Sequence, residues 1–278
     1  MSVGPLVPTP GPDLPQLLPL AGRVAGAHEW ACAERRRIVW AADVPHLPEG
    51  IATAVEERWH VRIGHGPDGS RGLPTFAEVF AHTRAEQVLR AFAQRTNLVL
   101  SGVRTTVVGA GPLASALVAM LTRVGSRVTL ATDDDAAAVR FALHGHDVVP
   151  VDAVAGIAAE TTFVTGEGDG VVADDLTGVL ADAGTSPGSL VVAPGEGIES
   201  RAFVGRPDLR SRRWIVELPP PFGEDFTASS GTATRPGNAV EWYLADLVVA
   251  ASLATVRAAA VGADAAAADA LFAKAVRG

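Results

Sequence analysis

From about residue 104 onward, short apolar runs alternate with segments whose apolar residues lie three or four positions apart. Runs such as Thr106-Val107-Val108 are β-branched and predict buried strands, whereas the longer spacing predicts helices. The expected strands are 104–108, 127–131, 147–150, 161–165, 189–193 and 214–216, and the expected helices between them include 135–144, 152–159 and 174–183. This alternation predicts an α/β fold, a Rossmann-type doubly wound parallel sheet.

Different patterns flank this region. The first 20 residues contain six prolines and predict an extended arm without a core. A strand at 38–41, a helix at 49–59, a strand at 61–63 and a glycine-rich linker predict a small N-terminal α/β unit. A long apolar helix ends near 261, and an Ala-rich helix follows it. The predicted domains are an arm (1–20), the small unit (21–73), a dinucleotide-binding domain (74–261) and a C-terminal helix (262–278).

The strand at 104–108 runs into a turn with G-x-G-x-x-A spacing. Gly109 permits a tight turn, Gly111 lets the backbone approach a pyrophosphate, and Ala114 lets helix and strand pack closely. The helix N-terminus then offers N–H groups and partial positive charge to an anion. The cofactor-binding residues predicted here are Gly109, Ala110, Gly111, Pro112 and Leu113. The alternative is a structural turn whose fold has lost its ligand.

The residue that holds the adenosine ribose should lie about 20 positions beyond the glycine turn. Thr132 occupies this position and Asp133 follows it, so both are predicted to bind ribose hydroxyls. Asp134 and Asp135 are expected to cap the next helix. No basic residue is expected at this strand end to neutralise a 2′-phosphate. The carboxylates therefore favour NAD over NADP.

Ligands of doubly wound sheets bind at the carboxyl ends of the strands, where Thr165 and Gly166 complete the predicted cofactor set. The candidates for acid–base chemistry at these ends are Glu196, Glu217 and Arg235. Glu217 ends an apolar strand, where burial would suit it to proton transfer. Glu196 lies in a Gly-flanked turn, for which a solvated loop is the alternative. The histidines show no metal-ligand spacing, so no metal site is predicted.

Composition narrows the function further. The net charge is −8 without a basic stripe, which argues against a nucleic-acid partner. Cys32 is the single cysteine, so an intrachain disulfide framework is excluded. Lys274 is the single lysine, which argues against Schiff-base chemistry and a phosphate-loop lysine elsewhere in the chain.

Location and assembly follow from the apolar segments. Glycines and charges interrupt the apolar runs, so no membrane span is expected, and no signal peptide is recognisable. We therefore expect a cytoplasmic protein that acts on a small-molecule metabolite. The helix over 238–261 is apolar on more than one face, and the N-terminal unit is expected to be too short to cover it. A homodimer through the C-terminal helices is predicted.

Four segments in the same order resemble the adenosylhomocysteinase family, over roughly residues 74–260. They are Gln94–Gly102 with the following Thr106–Gly109 (family RATN-x-x-I-x-G-K-x-V-V-V-x-G-Y-G), Gly125–Thr129 through Gly145–Val148 (G-A-R-V to E-G-Y-x-V), Phe163–Gly166 (F-V-T-T-T-G) and Thr232–Val240 (C-A-T-G-H-P-S-F-V). The resemblance implies a tightly held NAD that transiently oxidises the substrate's ribose before elimination and water addition.

The chain departs from this family where the chemistry lies. The family's lysine-and-aspartate stretch is missing, Ala193–Glu199 lacks the His and Asn of G-H-F-D-N-E, and Arg235 replaces the histidine of G-H-P. Dipicolinate synthases and related two-domain dehydrogenases would share the glycine-turn half. The predicted function is an NAD-dependent oxidoreductase, or an NAD-assisted hydrolase or lyase, acting on a small polar metabolite. The alternative is a non-catalytic nucleotide- or nucleoside-binding protein.

Overall fold

The structure is a computed structural model whose described residues form two compact units. It describes residues 19–26, 35–41, 47, 49–66, 73–157, 159–165, 190–193, 214–217, 221–222 and 239–278. Unit 1 consists of Met1–Val44, Ala52–Phe76 and Ala245–Gly278, and unit 2 of Pro45–Ile51 and Ala77–Leu244. The units are interleaved along the chain, whereas the boundaries expected from the sequence are consecutive; those boundaries stay a prediction.

Unit 2 is built on a six-stranded sheet. Its strands are β3 (Arg104–Val108), β4 (Arg127–Ala131), β5 (Asp147–Val149), β6 (Thr161–Val164), β7 (Leu190–Ala193) and β8 (Trp214–Glu217). They lie in the order β5-β4-β3-β6-β7-β8, and every neighbouring pair is parallel. The chain builds outward from β3 in one direction and from β6 in the other. The predicted Rossmann-type doubly wound sheet is confirmed.

One face of this sheet is covered by three helices of the described chain. These are α3 (Pro74–Thr96), most of which belongs to unit 2, α4 (Pro112–Arg123) and α5 (Asp135–Leu143). Val107, Leu130 and Phe163 contribute the sheet side of the core that these helices bury. Phe92 of α3 packs on Phe163 with ring centroids 5.5 Å apart. The apolar spacing that predicted the helices is therefore the spacing of their buried faces.

The crossover from β5 to β6 differs from the prediction. In place of an α-helix over 152–159, the chain forms a 3₁₀ helix at Val151–Gly156. Val151 and Val154 are its buried apolar residues, and a spacing of three suits the three residues per turn of a 3₁₀ helix. The predicted helix over 174–183 lies outside the described residues.

Unit 1 contains a two-stranded parallel sheet of β1 (Arg36–Ala41) and β2 (Val61–Gly66). Its helices are α1 (Leu20–Ala25), α2 (Glu49–Trp59), which begins in unit 2, α6 (Ala239–Ala260), which joins it at Ala245, and α7 (Ala265–Arg277). The predicted strand–helix–strand order is confirmed. β2 extends to Gly66, so the start of the expected linker is strand. α1 begins at the last residue of the predicted arm, and residues 1–18 lie outside the described residues.

A buried carboxylate of α6 holds the first turn of α1. The Asp246 carboxylate accepts the backbone N–H of Leu20 at 2.7 Å and that of Ala21 at 2.9 Å. Burial raises the pKa of Asp246, while these two N–H groups and the charge of Arg23 oppose the rise. A helix of six residues is thus fixed by an acceptor more than 200 positions away in sequence.

The central apolar residues of α6 are buried within one chain, whereas Val256 near its end is 43% exposed. Leu244, Leu247 and Val248 have no exposed surface. These three residues therefore need no second copy of the chain for their burial, and the homodimer itself stays a prediction. α6 also has the length and mean hydropathy (1.5 over 18 residues) of a membrane span, but 67% of that window is buried, as in the core helix of a soluble protein. This is weak evidence for a span.

Candidate nucleotide-binding site

The carboxyl ends of β4, β3 and β6 are tied together at one edge of unit 2. Gly109 N–H donates to the Ala131 carbonyl at 3.0 Å, and Thr165 N–H donates to the Val108 carbonyl at 3.0 Å. The strand order reverses between β3 and β6, so the glycine turn lies at the switch point of the sheet. Ligands of open α/β sheets bind in the crevice at this point.

The glycine turn joins β3 to α4 and contains two glycines, Gly109 and Gly111, whose backbone conformations differ. Gly109 has a φ of +132°, which side-chain-bearing residues rarely adopt. Gly111 has extended backbone (φ −72°, ψ −179°) and is the N-cap of α4, so its lack of a side chain is not required by conformation. The first turn of α4 contains Pro112 and no acidic residue. The positive end of the α4 dipole therefore has no carboxylate of its own in that turn.

In the next turn, between β4 and α5, the polar side chains accept hydrogen bonds from backbone N–H groups of the same chain. The Asp134 carboxylate accepts Ala137 N–H at 2.7 Å and is the N-cap of α5, as predicted. The buried Thr132 hydroxyl accepts Asp134 N–H at 3.1 Å. One oxygen of Asp133 accepts Val151 N–H at 3.0 Å, just after β5. β5 lies on the opposite side of β4 from β3, so this Asp133 bond is directed away from the glycine turn.

A basic residue that the sequence reasoning missed reaches the glycine turn. Arg140, on α5, donates from its guanidinium to the carbonyl of Ala110 at 3.3 Å. This bond lies at the turn after β3, so the expectation that no basic residue neutralises a 2′-phosphate at the end of β4 stays a prediction. Because β4 neighbours β3, α5 follows the strand next to the turn, and an arginine in its second turn is long enough to reach it. The predicted pairing of β3 with β4 was the only indication in the sequence that a residue of α5 could reach the glycine turn.

Thr165 lies on the other side of β3, and its polar groups hydrogen-bond within the sheet. Its hydroxyl and its N–H both donate to the Val108 carbonyl at 3.0 Å. The side chain is buried. Its hydroxyl therefore holds the end of β6 against β3, and Gly166 lies outside the described residues.

Of the three acid–base candidates, the structure describes the backbone of one. Glu217 ends β8 and is paired with Ala193 of β7. β8 is three strands from β3, a separation of about 14 Å at the usual strand spacing. Glu196 and Arg235 lie outside the described residues. The catalytic roles of all three stay predictions.

A groove of about 500 Å³ lies beside the site, between α5 and β5. Thr132, Asp133 and Asp135 line one end, and apolar residues such as Val139 and Val148 line the rest. No residue of the glycine turn lines it, so it is separate from the switch point. Within the described ranges, no three His, Cys, Asp or Glu side chains form a metal-binding group.

The comparisons with known proteins give distant structural similarities. No protein-family model matches the chain, and no curated protein sequence matches it. Among solved structures, a dipicolinate synthase chain from Bacillus halodurans is 14% identical over 75% of this chain and 62% of that chain, with a TM-score of 0.47. A dipicolinate synthase chain from Bacillus subtilis is 11% identical over 75% and 60%, with a TM-score of 0.44.

D-lactate dehydrogenase from Escherichia coli is 13% identical over 82% of this chain and 76% of that chain, with a TM-score of 0.42. The present chain thus spans about three fifths of the length of the two dipicolinate synthase chains. The fold of unit 2 follows from its own strand order and parallel pairing, independently of these similarities.

Proposed function

We propose that this chain binds NAD at the carboxyl edge of the unit 2 sheet, as an oxidoreductase or an NAD-assisted hydrolase or lyase on a small polar metabolite. The observation that carries the proposal is the glycine turn at the switch point. There Gly111 brings no side chain to the N-terminus of α4, whose first turn has no carboxylate. A pyrophosphate fits such a turn because backbone can approach it closely and the helix dipole favours negative charge.

The chain's own residues would bind and orient the cofactor. Gly109 makes the turn possible, and Gly111, the N-cap of α4, brings no side chain to the helix N-terminus. Thr132 and Asp133 remain the proposed ribose contacts, with the second oxygen of Asp133 taking that part while the first stays bonded to Val151. Bound NAD would supply a hydride acceptor, which no amino-acid side chain provides.

The finer proposal is a protein of an adenosylhomocysteinase-like group. It is supported by the four similar segments along residues 74–260. Gly109 at the start of the glycine turn, the β4 strand and the end of β6 fall within those segments. The proposed catalytic groups are Glu217, Arg235 and Glu196, with Arg235 at the position of the family's histidine.

The second candidate is a nucleotide- or nucleoside-binding protein without catalytic activity. It is favoured by one specific observation: Lys274, on α7, is the chain's single lysine, so the family's lysine has no counterpart before the cofactor half. A fold that kept the glycine turn but lost its proton-transfer groups would still bind the nucleotide.

The test is the identity of the ligand that purifies with the protein. Native protein is denatured, the released small molecules are identified by mass spectrometry, and the stripped protein is titrated with NAD. Co-purified NAD, or saturable NAD binding that raises the melting temperature, supports the NAD site that the first candidate requires. Adenosine or adenosylhomocysteine without NAD binding supports the second. A protein that binds none of these compounds contradicts both candidates.

Catalysis is tested separately on the loaded protein. Small polar metabolites with a hydroxyl group are added, and the appearance of reduced nicotinamide is followed by absorbance. Reduction that is lost in Glu217→Gln, with NAD affinity unchanged, supports the proposed acid–base role. NAD binding without any reduction in the panel favours the non-catalytic candidate.

A further inference from the structure

The structure places a cation beside the proposed phosphate turn from an unexpected element. Arg140 is on α5, which follows the strand after the glycine turn, and its guanidinium donates to the carbonyl of Ala110 between Gly109 and Gly111. Ala110 itself is largely buried. The guanidinium is thus held at the loop that the nucleotide would approach.

Within the described chain, Arg140 is exposed and forms no ion pair, and its guanidinium lies over the ring of Phe141, 5.5 Å from the ring centroid. The ion pairs Arg90 with Glu86 and Arg104 with Glu160, both within the described residues, do not involve Arg140. The neighbouring carboxylate of Asp134 caps α5, and one oxygen of Asp133 is bonded on the β5 side. Asp133 and Asp134 therefore make their described hydrogen bonds with backbone N–H groups and not with the guanidinium of Arg140.

A single hydrogen bond to Ala110 leaves most of the guanidinium donors available. Arginine has five N–H donors in a rigid fork that matches phosphate oxygens. One of them can hold the loop while others donate to an anion above it. Gly111 is the N-cap of α4 and has no side chain that could cap the helix. Arg140 and the positive end of the α4 dipole therefore favour the same negative group.

We propose that Arg140 is a nucleotide-phosphate contact, and that it supplies the positive charge which the glycine turn itself lacks. The inference rests on the proposed function, because it assigns a residue to the same nucleotide site. The ligand chemistry is a phosphate group next to an adenosine ribose. In NAD that group is the pyrophosphate, and in NADP it includes the 2′-phosphate.

The experiment compares wild type with Arg140→Gln and Arg140→Lys by titration with NAD, NADP, inorganic pyrophosphate and adenosine. Arg140→Gln should weaken NAD and pyrophosphate binding about tenfold or more, as expected for a lost charged hydrogen bond. Arg140→Lys should retain part of the affinity, and adenosine binding should not change. Arg127→Gln removes the same charge at the amino end of β4 and serves as the matched control.

The outcomes separate the two sources of phosphate and the two proposals. Equal losses for NAD and NADP assign Arg140 to the pyrophosphate; a loss confined to NADP assigns it to the 2′-phosphate. Unchanged affinities, an equal loss of adenosine binding, or an equal effect of Arg127→Gln would overturn the inference. Pyrophosphate binding that depends on Arg140, in a wild type that does not bind NAD, would overturn the proposed function alone. A wild type that binds no phosphate-containing probe would overturn both.

Discussion

Two neighbouring strand-to-helix turns at the same edge of the sheet differ in whether a side chain caps the helix that follows. After β4, the Asp134 carboxylate caps α5 and Asp135 adds negative charge to its first turn. After β3, Gly111 brings no side chain to α4, and the first turn has no acid. The α5 terminus is satisfied by its own sequence, whereas the α4 terminus is suited to an anion from outside.

This difference in capping distinguishes a structural turn from a binding turn better than the spacing of the glycines does alone. A G-x-G-x-x-A run can occur wherever helix and strand pack closely. A helix start without a capping side chain, with an arginine held beside it, has a physical preference for a negative group.

The largest effect is expected for Gly111→Val. The branched side chain would occupy the space that a pyrophosphate must approach, so NAD binding should weaken at least about a hundredfold, roughly 2.8 kcal/mol. The melting temperature should hold, because φ −72° and ψ −179° suit any residue. Calorimetric titration measures the affinity. Gly64→Ala is the control, since its Cβ would lie at ordinary contact distance, 3.6 Å from the Ile38 carbonyl. A folded Gly111→Val protein with wild-type affinity would contradict the assignment.

The second prediction concerns the dinucleotide itself. NAD should bind at least about tenfold more tightly than NADP, roughly 1.4 kcal/mol, because the carboxylates of the β4 turn repel a 2′-phosphate. Parallel titrations measure the ratio. Replacing Asp133 and Asp135 by Asn should narrow it. Equal or tighter binding of NADP would mean that Arg140, and not the carboxylates, governs the choice.

Asp134→Ala should lower the stability of the protein, through the turn between β4 and α5, and leave NAD binding unchanged. Loss of the cap on Ala137 should lower the free energy of unfolding by about 1 kcal/mol. NAD affinity should remain at the wild-type value, and denaturant unfolding and titration test the two parts. Asp135→Ala, which removes first-turn charge without the capping bond, is the control. A drop in NAD affinity for Asp134→Ala would show that the β4 turn takes part in binding.

The smallest effect is a pH slope expected for Asp246, a buried carboxylate at a helix start, in contrast to the part-buried cap formed by Asp134. Burial raises the folded-state pKa of Asp246 above its ordinary value of 3.8, so the folded state binds the proton more tightly. Its contribution to stability is then fully present below that value and is lost as pH rises through the raised pKa. Asp246→Asn should remove this slope from the unfolding free energy measured across acidic pH. An identical slope in both proteins would assign it to another group.

The sequence predicted those features that depend on local pattern. The helix at Glu49–Trp59 and the strand at Arg127–Ala131 have the predicted bounds, because each carries its own apolar period. The cap of α5 was also predictable, since Asp134 lies directly before the helix it caps. The glycine turn followed from residue types whose backbone freedom is needed at fixed spacing.

Features that depend on distance in three dimensions escaped prediction. The Ala-rich stretch after Pro150 suits an α-helix, yet the crossover there takes six residues of 3₁₀ helix. The reach of Arg140 to Ala110 depends on how α5 lies beside the turn. Asp246 escaped notice because an acid in an apolar helix gives no indication of which backbone groups it will accept.

The bond between Asp246 and the start of α1 sets an order for biosynthesis. Leu20 and Ala21 are translated more than 200 residues before the carboxylate that accepts their N–H groups. At typical rates of about 5–20 residues per second, they wait on the order of tens of seconds. Strands β3 to β8 are all translated during that interval. The glycine turn and its sheet can therefore form on the nascent chain while α1, the earliest described helix, still lacks its acceptor.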